Sequence, residues 1–254
     1  IGEFESMPVP KNYSFAADAF FSLKNREKIY FEGMNALSGK GEVVSFNRIS
    51  QDGFRLLLEP AEQHFSYPYS WLEEGQEYLL PEMASSSSPH LFKVLDGDQL
   101  EKIPLMGLEN QKLLDPSLLF YNDFYWLFAS EKGSSDQLKV WFSENLVGPY
   151  LPHPLNPVVM DPCRARPGGR IFRSNQKLLR YGQNNRGDYG NGLTICEIIK
   201  LTTTEYEEKQ LGQIKLNAFK GPHTLDFSEG VLMFDYYTDR FHPLAFVQRI
   251  KNRL

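Results

Sequence analysis

The sequence has very few cysteines, which limits the kinds of protein it can encode. Cys163 and Cys196 are the two cysteines among 254 residues. Two cysteines cannot form the disulfide framework of a small secreted protein, and their spacing is not that of a zinc site. We therefore expect buried thiols in a reducing compartment and a cytoplasmic location, although a single bridge between the two stays open. We expect no metal and no cofactor.

Long apolar runs and an excess of basic residues are also absent. No stretch of about 18 apolar residues occurs, so no membrane-spanning helix is predicted. The 27 basic residues are outnumbered by 32 acidic ones, for a net charge of −5, which argues against a nucleic-acid partner. The opening IGEFES lacks the charged region and apolar core of a signal peptide. We expect residues 1–11 to be a tag remnant and a tail outside the fold.

Aromatic residues, by contrast, are abundant at 14% of the chain. Phe, Tyr and Trp are enriched in β-strands. Helical periodicity is absent, except that residues 203–209 (TTEYEEK) could form a short helical turn. The composition therefore favours an all-β fold.

One pattern recurs along the chain: a polar or aromatic residue, then Pro or Ala, an apolar strand, a polar turn and a second apolar strand. The copies lie at 16–33, 65–82, 113–130, 165–182 and, more weakly, 221–237. Repeats of about 50 residues built from hairpins are typical of a β-propeller, with one four-stranded blade per repeat. The sequence thus predicts a five-bladed β-propeller with four-stranded antiparallel blades. The single propeller domain spans 12–254, with blades at approximately 12–58, 59–111, 112–158, 159–212 and 213–254.

The repeat places five residues at matching positions. The innermost strand of each blade lines the central channel, so these positions converge at one mouth: Asp18, Tyr67, Asp115, Arg166 and, approximately, His223. Facing carboxylates raise each other's pKa, and an arginine among them offsets that repulsion. Structural alternatives stay open, because Asp115 before a proline could cap a turn, Arg166 could be a structural ion-pair partner, and His223 could be a core histidine.

Several short motifs together resemble a known family. They are SYP (66–68), PE (81–82), LLDPSL (113–118), GPYLPHPLNPVV (148–159), RPGG (166–169), YGQ (181–183) and HTLD (223–226). The combination resembles the family 43 glycoside hydrolases and their clan. It is most similar to the N-terminal propeller of plant glucosamine inositol phosphorylceramide transferases, which also occurs in bacterial proteins. The resemblance covers residues 12 to 250 approximately and implies the five-bladed propeller.

The resemblance also implies catalytic roles. It makes Asp18 the general base and Asp115 the residue that orients the general acid and tunes its pKa. The family's acid is a glutamate that opens blade four, and this chain has Ala165 at that position. Two other carboxylates could replace it, Glu82 in blade two and Glu32 in blade one. We expect Asp18 and Glu82 to be the acid–base pair if the protein hydrolyses a glycosidic bond.

The remaining candidates are binding residues. Glu32, Tyr67, Arg166 and His223 are predicted to face the ligand. Gln183 and Tyr189 belong to a polar loop, GQNNRGDYG (182–190), that resembles those that bind sugar hydroxyls, although a solvated turn is equally compatible.

Three functions fit these residues. The first is a carbohydrate-active enzyme that acts on a glycosidic bond through Asp18, Glu82 and Asp115. The second is a non-catalytic glycan-binding domain that works with a glycosyltransferase, as a partner or as a fused domain. The third is a protein-interaction propeller. The retained aspartates favour the first function and the missing blade-four glutamate favours the second, so the expected partner is a glycan or another sugar-containing molecule.

Overall fold

The structure is a computed structural model that describes residues 4–50, 53–59, 63–85, 88–187 and 190–238. Within these ranges the backbone forms antiparallel sheets and one three-residue 3-10 helix, Asp96–Asp98. No helix in the described part of the chain is long and apolar enough to cross a membrane. The predicted all-β fold is confirmed.

The strands form successive sheets, each following the chain order from the inside outward. Blade one contains β1 (Tyr13–Phe21), β2 (Lys28–Asn35), β3 (Gly41–Asn47) and β4 (Phe54–Leu58). Blade two contains β5 (Ser66–Glu73), β6 (Gln76–Glu82), β7 (His90–Val94) and β8 (Leu100–Pro104). Blade three contains β9 (Leu113–Tyr121), β10 (Phe124–Glu131), β11 (Ser134–Ser143), β12 (Leu151–Pro152) and β13 (Val159–Met160). Blade four contains β14 (Phe172–Ser174), β15 (Lys177–Gln183), β16 (Leu193–Leu201) and β17 (Tyr206–Ile214).

A fifth, two-stranded sheet follows, made of β18 (Leu225–Ser228) and β19 (Val231–Phe234). The first strand of blade two, β5, contacts both β1 and β9, and β1 also contacts β18. This arrangement is that of a β-propeller with four-stranded antiparallel blades. The predicted fifth blade, 213–254, extends beyond Thr238 and therefore lies partly outside the described residues.

Tight turns form most of the inner hairpins, and their sequences explain why. The two residues that join the inner strands of blades two, three, four and five all have positive φ. They are Glu74–Gly75, Asn122–Asp123, Asn175–Gln176 and Glu229–Gly230. Two consecutive positive φ angles define the type I′ turn, which suits Asn, Asp and Gly and matches the twist of a hairpin.

Apolar side chains fill the spaces between neighbouring blades. Phe20, Tyr69 and Leu118 belong to one buried cluster that joins the first three blades. A second cluster, with Trp126 and Ile198, joins blades three and four. The strands are apolar on both faces because each sheet packs against a neighbour on either side.

Two features differ from, or refine, the sequence expectations. Residues 203–209 form no helical turn; most of them belong to β17, which pairs with β16. Cys163 and Cys196 are both buried and both free, so the bridge that the sequence left open is not formed.

Candidate functional site at the channel mouth

A repeated backbone irregularity presents three of the predicted residues. Asp18, Tyr67 and Asp115 have φ angles of 52°, 47° and 50°. Each lies at a register shift in the first strand of its blade. A β-bulge of this kind bends the strand and redirects a side chain. The positions that the repeat aligned in sequence therefore share one local conformation.

Asp18 is buried and is held by blade five. Its Oδ1 accepts a hydrogen bond from Thr224 Oγ1 at 2.5 Å and lies 3.1 Å from His223 Nε2. The other ring nitrogen of His223 lies 2.8 Å from Asp235 Oδ2. Burial alone would raise the pKa of Asp18, but His223, Thr224 and Arg166 outweigh it and lower this pKa to about 2. Asp18 is therefore a carboxylate at neutral pH.

His223 is the positive member of this group. Burial would lower the pKa of His223, but Asp235 and Asp18 outweigh it and raise this pKa well above the usual value. One ligand atom each from Asp18, His223 and Asp235 lies within 4.8 Å of the other two, which is close enough to hold a cation. However, a metal-bound imidazole must be unprotonated at the ligating nitrogen. Nε2 of His223 faces Asp18 and Nδ1 faces Asp235, so a cation bound here would compete with the protons of this ring for the same carboxylates.

Asp115 is the centre of a second group. It is 1% exposed, and Arg166 Nε donates to its Oδ2 at 2.5 Å. Gln183 Nε2 donates to the same oxygen at 2.6 Å. The backbone N–H of Asp115 donates to Glu82 Oε2 at 3.1 Å, and Arg166 Nη2 lies 3.6 Å from that oxygen. Asp115 thus links Arg166, Gln183 and Glu82.

Glu32 and Glu82 are the two buried glutamates of the site. Burial, followed by the charges of Asp18 and Glu82, raises the pKa of Glu32 well above its usual value. Burial and then the charge of Asp115 raise the pKa of Glu82 to about 8, although Arg166 opposes this. Both glutamates are therefore shifted toward the protonated form, whereas Asp18 is shifted toward the ionised form.

His64 is a further neighbour of Glu32. Its Nδ1 accepts the backbone N–H of Gly41 at 2.9 Å, and its Nε2 lies 3.4 Å from Glu32 Oε1. A Cβ on Gly41 would lie 2.6 Å from Glu32 Oε1 and 2.8 Å from His64 Cε1. Only glycine at this position leaves room for both side chains.

The other predicted residues lie in different settings. Tyr67 is fully buried, and its hydroxyl contacts Ser117 Oγ and accepts the Gly169 N–H. Its predicted role in ligand binding stays a prediction, and its position serves the packing around the channel. Tyr189 lies outside the described residues. Ala165, at the expected acid position, is fully buried in the apolar cluster between blades three and four.

Sequence reasoning missed Asp235 and Thr224, which hold His223 and Asp18. Both come from blade five, where the repeat is weakest. Thr224 lies inside the HTLD motif, so that motif was a usable signal. Asp235 follows β19, and no pattern in the sequence connects it with a residue more than 200 positions earlier.

The assembled site combines carboxyl groups whose pKa values are shifted in opposite directions, down for Asp18 and up for Glu32 and Glu82. Pairs of titratable groups with pKa values pushed apart are typical of acid–base chemistry. Arg166, the less buried cation of the site, has 19% of its side chain exposed. The arrangement can bind polar groups and can exchange protons.

Comparison with known proteins places this geometry in a family. Residues 4–226 match the family model for glucosamine inositolphosphorylceramide transferase 1, N-terminal. The rice (Oryza sativa subsp. japonica) transferase 1 is 30% identical over 212 residues, and the Arabidopsis thaliana protein is 26% identical over 223 residues. The matched regions cover 77% and 82% of this chain but 28% of each relative. The chain thus spans little more than a quarter of these proteins.

Solved structures with the same fold are glycoside hydrolases. A family 117 glycoside hydrolase, Zg3597 from Zobellia galactanivorans, matches with a TM-score of 0.56 at 12% identity, covering 86% of this chain and 75% of that one. An exo-β-1,3-galactanase from Clostridium thermocellum matches with a TM-score of 0.54 at 14% identity, covering 75% and 47%. These identities support the fold alone. The family model spans most of the chain, and the protein therefore belongs to the family of the N-terminal domain of glucosamine inositolphosphorylceramide transferase 1, a propeller related in fold to glycoside hydrolases.

Proposed function

We propose that this propeller binds a glycan or glycoconjugate at the channel mouth and acts there on a glycosidic bond by acid–base catalysis. One observation carries the proposal. The ionised Asp18 shares a buried site with Glu32 and Glu82, whose pKa values are raised. Enzymatic hydrolysis of a glycosidic bond uses a carboxylate and a carboxylic acid together.

The roles follow from the charges. Asp18 accepts a proton from the attacking water, and Glu82 gives its proton to the departing sugar oxygen. The new bond joins the water oxygen to the anomeric carbon, and the electron pair of the broken bond stays on the departing oxygen. Asp115 orients Glu82 through its backbone N–H and keeps Arg166 beside it.

The comparisons support a carbohydrate ligand in general terms. The related transferases are named for a sugar transfer to a lipid, and the propellers of similar fold are named as glycoside hydrolases. The ligand proposed for this chain is accordingly a sugar or a sugar-bearing lipid headgroup.

A second candidate is a non-catalytic glycan-binding domain that works with a glycosyltransferase. The pKa of about 2 for Asp18 favours it, because a general base works best when its pKa lies near the working pH. The buried Ala165 at the expected acid position favours it as well. The transferase would be a partner or a further domain of the same protein.

Binding and hydrolysis across a glycan panel separate the candidates. The wild type is compared with Asp18→Asn and Glu82→Gln, with the exposed Asp136→Asn as the matched control. Catalysis predicts turnover that falls at least about a hundredfold in the first two variants and is unchanged in the control. Binding without turnover in the wild type would support the accessory domain, and the absence of any glycan binding would refute both.

A further inference from the structure

The side-chain amide of Gln183 has one possible orientation. Its Nε2 donates to Asp115 Oδ2 at 2.6 Å and to the backbone oxygen of Pro167 at 2.8 Å. Both partners are acceptors. If the amide were turned over, Oε1 would face two oxygens and both hydrogen bonds would be lost. The positions of Nε2 and Oε1 are therefore fixed by chemistry.

Oε1 of Gln183 is left without a donor. It is buried and has no hydrogen-bond partner in the described part of the chain, and the residue as a whole is 1% exposed. A buried acceptor without a partner costs about 1–3 kcal/mol. Such an atom beside Asp115 needs a donor that the described residues do not supply.

The surrounding backbone holds Gln183 in place. Its N–H donates to the carbonyl of Arg166 at 2.8 Å, and the residue ends β15. A Cβ on Gly168 would lie 3.3 Å from Gln183 Cγ and 3.0 Å from the carbonyl oxygen of His223. Gly168 thus lies beside both Gln183 and His223, and the Gln183 amide lies next to the groups that hold Asp115.

We infer that Gln183 Oε1 accepts a hydrogen bond from a donor group of the ligand, a sugar hydroxyl or a sugar ammonium group, beside Asp115. This inference rests on the proposed glycan site and gives that site a specificity. A phosphate or carboxylate oxygen cannot take the position, because it would face both Oε1 and the Asp115 carboxylate. Any anionic part of a glycoconjugate must lie elsewhere.

The first test uses the wild-type protein and small probes. Glucose, glucosamine, myo-inositol and inorganic phosphate are titrated while the side-chain amide resonances of Gln183 are followed by NMR. Glucose or glucosamine should shift these resonances, and phosphate should leave them unchanged. A shift with glucose indicates a hydroxyl donor, whereas a shift with glucosamine alone indicates an ammonium donor. Polyol binding elsewhere with unmoved Gln183 resonances would refute the inference and leave the glycan site standing. If none of the polyols binds, the inference and the proposed site both fail.

The second test finds the donor on the ligand. Deoxy and deoxyfluoro analogues of the best sugar are compared, since fluorine cannot donate a hydrogen bond. At one ring position both analogues should bind about 10- to 100-fold more weakly. If the deoxyfluoro analogues keep full affinity at every ring position, the protein does not accept a hydrogen bond from any ligand hydroxyl tested, and the inference is wrong.

The third test removes the acceptor. Methionine in Gln183→Met is similar in size to glutamine and has no amide. The variant should bind the parent sugar as weakly as the deoxy analogue, so that it no longer discriminates between these two ligands. Circular dichroism and thermal unfolding check that the variant folds. A folded variant with wild-type affinity would contradict the inference, as would a crystal structure in which an ordered water stays on Oε1 when sugar is bound.

Discussion

Asp115 is the residue on which the second half of the site depends. It holds Arg166 through two hydrogen bonds and accepts a third from Gln183. Removing one charge from a buried, hydrogen-bonded ion pair is strongly destabilising, because the partner charge stays behind. Its substitution therefore tests both the stability and the electrostatics of the site.

We predict that Asp115→Asn lowers the free energy of unfolding by about 3 kcal/mol. It should also lower the pKa of Glu82 from about 8, because the charge of Asp115 is, after burial, the main influence that raises it. Urea unfolding measures the first effect, and the infrared band of the protonated carboxyl group measures the second. Asp136→Asn, at an exposed position, should change neither. An unchanged Glu82 band in Asp115→Asn would contradict this account.

The titrating groups also predict how stability depends on pH. Glu82 has a folded pKa of about 8, above its unfolded value of 4.5, so the folded protein binds the proton more tightly. This contribution is complete below pH 4.5 and is lost as the pH rises to about 8, with a total of a few kcal/mol. His223 and Glu32, whose pKa values are also raised, act in the same direction. Asp18, whose pKa is lowered from 3.8 to about 2, contributes stability that is lost only as the pH falls through this acidic range.

Unfolding free energies measured from pH 4 to pH 9 check this dependence. We expect stability to be greatest near pH 4–5 and to fall toward alkaline pH. Glu82→Gln, which cannot titrate, should reduce the slope by about one proton. A wild-type curve that is flat between pH 5 and pH 8 would show that the buried acids are not protonated in the folded state.

The sequence could predict Asp18 and Asp115 because the repeat places both at the same step of the blade. It could not predict their strained backbone, since neither residue favours positive φ as glycine does. Asp235 was missed for a physical reason. It lies in the weakest copy of the repeat, and its contact with Asp18 joins blade five to blade one across more than 200 residues, which no local pattern encodes.

At the level of strands, the passage between blades four and five depends on Gly169. Its φ is +138°, and a Cβ there would lie 1.9 Å from the carbonyl oxygen of Leu225. Gly169 and Leu225 form a parallel bridge that connects the two sheets. Gly169 of the RPGG motif therefore lets two backbones approach each other.

We predict that Gly169→Ala lowers the free energy of unfolding by more than about 3 kcal/mol, because the clash with backbone adds to the strain of positive φ. Gly212→Ala is the matched control: it lies in β17 with no atom within 4 Å of the added Cβ. The control should be neutral or stabilising by up to about 1 kcal/mol. Thermal unfolding of both variants decides the matter, and equal melting temperatures would refute the close approach.

The hairpins of blades two and three were the most predictable elements. Their turns, Glu74–Gly75 and Asn122–Asp123, each contain at least one residue suited to type I′ geometry, and apolar runs flank them. Blade four was harder, because its first strand has only three residues, Phe172–Ser174. Residues 203–209 (TTEYEEK) contain four charged residues and a single apolar or aromatic one. The outer strand β17 is mostly exposed, so packing gives no apolar alternation there.

Across the whole molecule, a buried ion pair joins four blades near the channel. Arg170 donates to Asp226 Oδ1 at 2.7 Å and to the backbone oxygen of Ser70 at 2.7 Å. Asp226 also accepts the N–H of Phe21 at 2.9 Å. Arg170 lies over the ring of Tyr69, 4.8 Å from its centre. Blades one, two, four and five therefore meet at one pair of charges, which no single repeat could reveal.

We predict that Asp226→Asn lowers the free energy of unfolding by about 3–5 kcal/mol, because it leaves the buried Arg170 charge without its partner. Lys200→Met is the control, since it removes an exposed pair with Glu205 and should cost no more than about 1 kcal/mol. Urea unfolding followed by tryptophan fluorescence and by circular dichroism measures both variants. The two probes report on different parts of the ring of blades. If the ring opens between blades in Asp226→Asn, the unfolding transitions seen by the two probes should occur at different urea concentrations, and in the control they should coincide. Coincident transitions with a loss below about 1 kcal/mol would mean that apolar packing between blades, and not this ion pair, closes the propeller.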